Sequence, residues 1–181
     1  MRIRLAALLL AAAFVFIGLT GCSHTISFTN PAEKRRESIS DFISGNTPGD
    51  VTAEPGKTYA TKWFEFMVHS IEKADAYMGY AAEEDHQLYK VLLTVKSIWD
   101  EPIPMGLFDF YMDSPDFTEY IWAIPPLDGT MMPEEYNLEP NKTVQYAMIF
   151  EVPADTAGLA LMYTENYKGG EDGATFAIPV E

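Results

Sequence analysis

One thiol, three imidazoles and 27 carboxylates are the groups in this 181-residue chain best suited to chemistry, and their spacing restricts what each can do. His24 lies in a polar N-terminal stretch, His69 on the outward face of an alternating segment, and His86 at the end of the acidic run Glu83-Glu84-Asp85. Zinc needs several imidazoles or thiolates that converge, so no sequence-local zinc site follows. Neither the His-Glu-x-x-His of metalloproteases nor the Gly-x-Ser-x-Gly of α/β-hydrolases occurs. Gly56-Lys57-Thr58 imitates the end of a phosphate loop, but Val51 stands where the first glycine belongs, and the triplet reads as a turn. Hard cations such as calcium take about six to eight oxygens. Asp109, Asp113 and Asp116, which flank one expected strand, are the candidate ligands, although they lack EF-hand spacing. No cofactor is expected.

Cys22 is placed differently from these groups. It closes Leu19-Thr20-Gly21-Cys22, after a basic start with Arg2 and Arg4 and an apolar run from Leu5 to Ile17. That run holds roughly 13 residues, short of the about 20 a membrane-spanning helix needs. The pattern resembles a bacterial lipoprotein signal, in which the cysteine thiol takes a diacylglycerol and becomes the first mature residue. Residues 1–21 are then the signal peptide, Cys22 is the lipidation site, and the acyl chains (palmitate among them) hold the protein on the bilayer from the extracytoplasmic side. As the only cysteine, Cys22 leaves no disulfide to stabilise the domain, which must rely on its apolar core.

Charge narrows the partners. The two leader arginines leave with the signal, so the mature chain keeps 10 basic residues against 27 acidic ones, a formal charge of −17. Such a surface repels phosphate backbones, and no nucleic-acid partner is expected.

The elements that must position these groups change character along the chain. Residues 22–57 are rich in Ser, Thr, Asn, Pro and Gly and carry Lys34-Arg35-Arg36; they read as a lipidated tether with a short helix over 30–44, reaching about 30 Å if unstructured. Residues 58–181 read as the folded domain. There the hydrophobic period becomes two: segments 61–70, 88–97, 105–112, 143–152, 159–163 and 176–180 alternate, with a weaker segment at 120–124. The alternation puts Phe64, Phe66, Val68 and Ser70 on one face opposite the outward His69, groups Tyr89, Val91, Leu93 and Val95 on one face of the next segment, and alternates Phe108, Phe110 and Met112 with Leu107, Asp109 and Tyr111. In the longest run it puts Val144, Tyr146, Met148, Phe150 and Val152 inward, with Ala147 and Ile149 outward. Residues 73–85 could include a helical turn or two. Seven short strands separated by Pro55-Gly56, Pro140-Asn141 and Gly169-Gly170 predict an all-β, antiparallel sandwich.

Two stretches carry a family resemblance over residues 58–180: Leu92-Leu93-Thr94-Val95-Lys96-Ser97 through Pro102, and Leu138-Glu139-Pro140-Asn141-Lys142-Thr143 leading into Ile149-Phe150-Glu151-Val152-Pro153. They resemble a family of bacterial lipoprotein domains of unknown function, similar in fold to the immunoglobulin-like sandwich of a mycobacterial immunoprotective extracellular protein. Ser97 stands where such domains usually have Asn, and Asn141 where they usually have Gly; Asn tolerates the positive φ that turn needs. The resemblance implies an immunoglobulin-like fold and a binding or cell-envelope role, and brings no catalytic residues.

Aromatic side chains in the connections supply the remaining candidates. Tyr77, Tyr80, Trp99 and Trp122 are expected to form a partner-binding patch away from the tether, because aromatic side chains are enriched at binding surfaces. The leading reading is a non-enzymatic, membrane-anchored binding module for an envelope or host protein or glycan. A lipoprotein that delivers a small ligand or calcium to a transporter, and a hydrolase whose carboxylates meet only in the fold, are the alternatives.

Overall fold

The computed structural model describes residues 50–166 and 172–181; Cys22, the 30–44 stretch and the Gly169-Gly170 turn lie outside them. In chain order the strands are β1 (Val51–Thr52), β2 (Thr58–Ala60), β3 (Phe64–Ala74), β4 (Ala76–Tyr77), β5 (Tyr80–Ala81), β6 (His86–Ser97), β7 (Ile103–Met105), β8 (Phe110–Asp113), β9 (Ile121–Trp122), β10 (Tyr136–Leu138), β11 (Thr143–Pro153), β12 (Ala160–Asn166) and β13 (Asp172–Pro179). A single 3-10 turn, Leu107–Asp109, is the helical element among the described residues, and no helix there is long and apolar enough to cross a membrane.

Two sheets form the sandwich, ordered β11-β6-β3-β2 and β1-β13-β12-β8-β9, with ribbons β7–β10 and β4–β5 beside them. The sub-orders β11-β6-β3 and β8-β12-β13 match the E-B-A and C-F-G strands of an immunoglobulin sandwich. Pairing between the named strands is antiparallel except at β1, which runs parallel to β13 with Thr52 opposite Ala177. Ala53 follows it into the core. Residues 51–53, which composition places in the tether, are thus part of the sandwich.

Alternation works because each strand covers the same core. Phe64, Phe66 and Val68 on β3, Val91, Leu93 and Val95 on β6, and Met148, Phe150 and Val152 on β11 meet Phe110, Met112, Leu161, Tyr163, Phe176 and Ile178 from the second sheet. Phe66 lies at the centre, its ring 5.3 Å from Phe176, 5.9 Å from Tyr59 and 6.0 Å from both Phe110 and Tyr163. Truncating such a residue costs about 3–5 kcal/mol.

Four departures from the alternation have local causes. A bulge between Val68 and Ser70 leaves His69 opposite no residue of β6, so Ile71 rather than Ser70 joins the core. Residues 105–112 are not one strand: β7 pairs with β10, the 3-10 turn intervenes, and β8 pairs with β12 in the second sheet. The turn separates Phe108, 57% exposed, from Phe110 and Met112, with which alternation groups it and which are buried. Residues 73–85 contain no helical turn; they finish β3 and form the β4–β5 hairpin around Met78 (φ 51°) and Gly79 (φ 85°), positive at both central positions as a type I′ turn requires. That hairpin and Met131 cover Leu88, Ala147 and Ile149, so the outward face of β11 is buried there. Backbone bonds from Met132 N–H to Ala147 and from Ile124 N–H to Ile149, 2.9 and 2.8 Å, close the β11 edge.

Candidate functional site

The 3-10 turn is held by reciprocal bonds between its ends. Asp109 N–H donates to the Gly106 carbonyl (3.1 Å), and Gly106 N–H donates to Asp109 Oδ2 (2.7 Å). Leu107 N–H donates to the Pro133 carbonyl (3.0 Å), which draws the 133–135 segment across the turn. A Cβ on residue 106 would sit 2.0 Å from the Glu134 carbonyl oxygen, so only glycine permits that crossing. The outcome is a three-way division: Leu107 is buried, Phe108 is exposed, and Asp109 stands half-buried between them.

Three hollows meet at Asp109. The largest, about 630 Å³, is lined by Gly106, Phe108, Asp109, Glu134, Glu135 and Tyr136 among others. A second of about 260 Å³ is lined by Phe108, Asp109, Tyr111, Tyr120, Trp122 and Thr164. A third, about 120 Å³, reaches from Asp109 toward Phe64, Ile103 and Tyr163. Burial raises the Asp109 carboxyl above the usual carboxylate range, opposed in part by the Gly106 N–H. Tyr136 is held well above the usual phenol range, first by burial, then by Tyr146 and the Asp109 charge. Its hydroxyl donates to Met105 Sδ at 3.8 Å.

The aromatic side of the site is assembled by strand pairing. Trp122 on β9 stands opposite Tyr111 on β8. The Trp122 ring meets Phe108 at 5.8 Å and 82°, Tyr111 at 5.5 Å and 64°, and Tyr120 at 6.1 Å and 79°. Tyr111 and Tyr120 lie 4.3 Å apart, and the Tyr111 hydroxyl is 3.0 Å from Thr164 Oγ1. Edge-to-face contacts of this kind favour defined ring orientations. Yet Phe108, Tyr120 and Trp122 stay 57%, 43% and 42% exposed. Asp109, Glu134 and Glu135 edge this partly exposed aromatic surface.

The four aromatic residues read as one patch do not share a surface. Tyr77 and Tyr80 are half-buried in the cover over Leu88 and Ile149. Trp99, 38% exposed, follows the far end of β6: Lys90 lies over the Tyr77 ring, and the extended strand from Lys90 to Ser97 spans about 23 Å. Trp122 alone of the four joins the cluster above, with Tyr120 from the same aromatic-rich segment and with Phe108 and Tyr111, which the sequence pattern does not single out. The sequence signal for Phe108 is Gly106, a glycine that interrupts an otherwise alternating run.

The three aspartates weighed as calcium ligands are likewise separated. Asp109 and Asp113 bound opposite ends of β8; Asp113 is buried and accepts Ser114 N–H at 2.8 Å, while Asp116 is exposed beyond that turn. Among the described residues no three His, Asp or Glu side chains are placed to share a metal ion. Ser97 is buried and bonds the Trp99 backbone, and Asn141 has φ 60°.

No protein-family model matches the chain, and no curated protein does. Solved structures do. A candidate lipoprotein of Bacillus subtilis, ycdA, aligns at TM-score 0.54 and 16% identity over 68% of this chain, which spans 38% of that protein. The yjhA protein of the same organism aligns at 0.51 and 13%, covering 70% of this chain and 99% of its own. MPT63, a secreted protein of Mycobacterium tuberculosis, aligns at 0.50 and 14%, with 72% and 99% covered. At these identities the likeness establishes the β-sandwich fold, in agreement with the fold the sequence resemblance implies.

Proposed function

We propose that this protein is a lipid-anchored, extracytoplasmic and non-enzymatic binding module that holds its ligand on the Phe108–Tyr111–Tyr120–Trp122 face. One observation carries the reading: three large exposed rings, fixed edge to face, converge on hollows that share a half-buried carboxylate. The strand order supports it, since β9 lies four strand spacings, about 19 Å, from β1, where the chain enters from its N-terminal side. The anchoring half of the proposal rests on Leu19-Thr20-Gly21-Cys22, outside the described residues. A small-ligand carrier is the second reading, favoured by the 630 Å³ cleft, a volume typical of small-molecule sites.

Photo-crosslinking in intact cells tests this. Benzoylphenylalanine at position 122 should give a discrete adduct that is absent from position 69 on the other sheet, and the adduct's mass separates a macromolecular partner from a small ligand. Equal labelling from both positions contradicts the assignment. Cys22→Ala should abolish palmitate labelling and release the protein from membranes; continued membrane retention contradicts the anchor.

A further inference from the structure

Resting on that assignment of the face, we infer that its ligand is an organic cation of the quaternary or N-methylated ammonium class. An ammonium group is attracted to the negative face of an aromatic ring, most strongly to Trp, within about 6 Å of the centroid. The protein already uses this interaction internally: Lys62, Lys73 and Lys90 lie over Trp63, Tyr89 and Tyr77 at 5.6, 5.9 and 5.5 Å. Among the described residues, no lysine or arginine lies over Trp122 or Phe108, two of the three rings in this cluster that stay exposed. Nor does any basic residue appear among the described residues lining the two larger hollows, whereas Asp109, Glu134 and Glu135 do. The Phe108 and Trp122 rings, at 82° to one another, present faces in different directions, which suits an alkylated cation with no single hydrogen-bond axis.

The carboxylates decide between a cation and a neutral apolar group. Asp109 uses Oδ2 to hold the Gly106 N–H, and Oδ1 has no hydrogen-bond partner among the described residues. A half-buried carboxylate lacking a counter-ion gains from a cation that brings charge without requiring a directed N–H donor. A neutral isostere would cover the same rings and leave that charge uncompensated.

Two sources share this chemistry, a free solute such as choline and a choline lipid headgroup. The full-length protein, labelled with 5-fluorotryptophan and held in phosphatidylglycerol bilayer discs, gives one fluorine resonance each for Trp63, Trp99 and Trp122. Choline or tetramethylammonium should shift the Trp122 resonance saturably, and the neutral isostere 3,3-dimethylbutanol should not. Glu135→Gln and Asp109→Asn should each weaken binding by about three- to tenfold, in line with the strength of a partly screened ion pair. A Trp122 shift that arises in phosphatidylcholine discs without added solute assigns the headgroup; a shift only with free choline assigns the solute. No saturable shift, or an equal one with dimethylbutanol, overturns the inference. If the position-122 adduct still forms in cells in that case, the binding face stands and only its ligand class falls; loss of both removes the face as well.

Discussion

The sandwich carries two aromatic clusters on its outer surfaces, and they have opposite fates. On the first sheet, Tyr77 and Tyr80 fold down on Leu88, Ala147, Ile149 and Met131. Their polar ends are satisfied from within: the Tyr80 hydroxyl donates to Glu151, Glu83 N–H reaches the other oxygen of that carboxylate at 2.6 Å, and Lys90 covers the Tyr77 ring. On the second sheet, Phe108, Tyr120 and Trp122 pack on each other at a sheet edge and leave their outer surfaces in water. On the proposed reading, the same residue types serve stability in one place and recognition in the other. What separates them is whether the fold supplies apolar residues underneath and charges on top.

If that contrast is right, truncation beneath the first cluster should be costly and truncation within the second should be nearly free. Ile149→Ala is expected to lower the unfolding free energy by about 2–5 kcal/mol, while Trp122→Ala, at an exposed position, should cost about 1 kcal/mol or less. Urea denaturation of the two variants compares them directly, and equal losses would erase the distinction.

Gly106→Ala comes next in size. The added methyl collides with the Glu134 carbonyl, so a loss of about 1–3 kcal/mol is expected as the 133–135 crossing shifts. Ligand binding at Trp122 should weaken along with the melting temperature, because the same turn aims Phe108. A variant that melts and binds like the parent would show that the crossing does not position the site.

The smallest effect is in the pH dependence. Glu83 N–H first, then the Tyr80 hydroxyl, hold Glu151 below the usual carboxylate range. Its contribution is therefore fully present above the unfolded glutamate pKa and lost as pH falls through the lower folded value. Tyr80→Phe removes one of the two donors and should flatten this acid limb by a few tenths of a kcal/mol, discounted for solvent screening. Asp109 has the opposite sign: its raised folded pKa makes its ionisation unfavourable for folding, and that cost fades as pH drops through the folded value. Asp109→Asn should accordingly stabilise the protein at neutral pH relative to acid. Melting curves from about pH 3 to 7 measure both, and acid limbs of unchanged shape in both variants would contradict the two assignments.

Much of the scaffold was legible from alternation alone, because β3, β6, β11 and β12 each bury one face against a common core. The positive φ of Asn141 was legible too, since few other residues accept it. Local period is blind to events that depend on distant strands. The bulge at His69 is set by pairing with β6, and the parity change at Phe108 by the passage of the 133–135 segment over Gly106. Composition likewise groups Tyr77, Tyr80, Trp99 and Trp122 as exposed aromatics. Only the register Tyr111↔Trp122 and the hairpin's position on Ile149 tell which ring faces water. Spacing groups Asp109 with Asp113 and Asp116 as cation ligands, but Asp109 and Asp113 bound opposite ends of β8, and it is rings from β8, β9 and the 3-10 turn that line the hollow beside Asp109.

Hydroxyl-radical footprinting of the purified full-length protein against the same protein in intact cells tests the central claim most directly. Phe108, Tyr120 and Trp122 should react readily when purified and become protected in cells, while Tyr77 and Tyr80 keep the same low reactivity in both. Equal reactivity of Trp122 in the two settings, or protection centred on the Tyr77–Tyr80 hairpin, would contradict it.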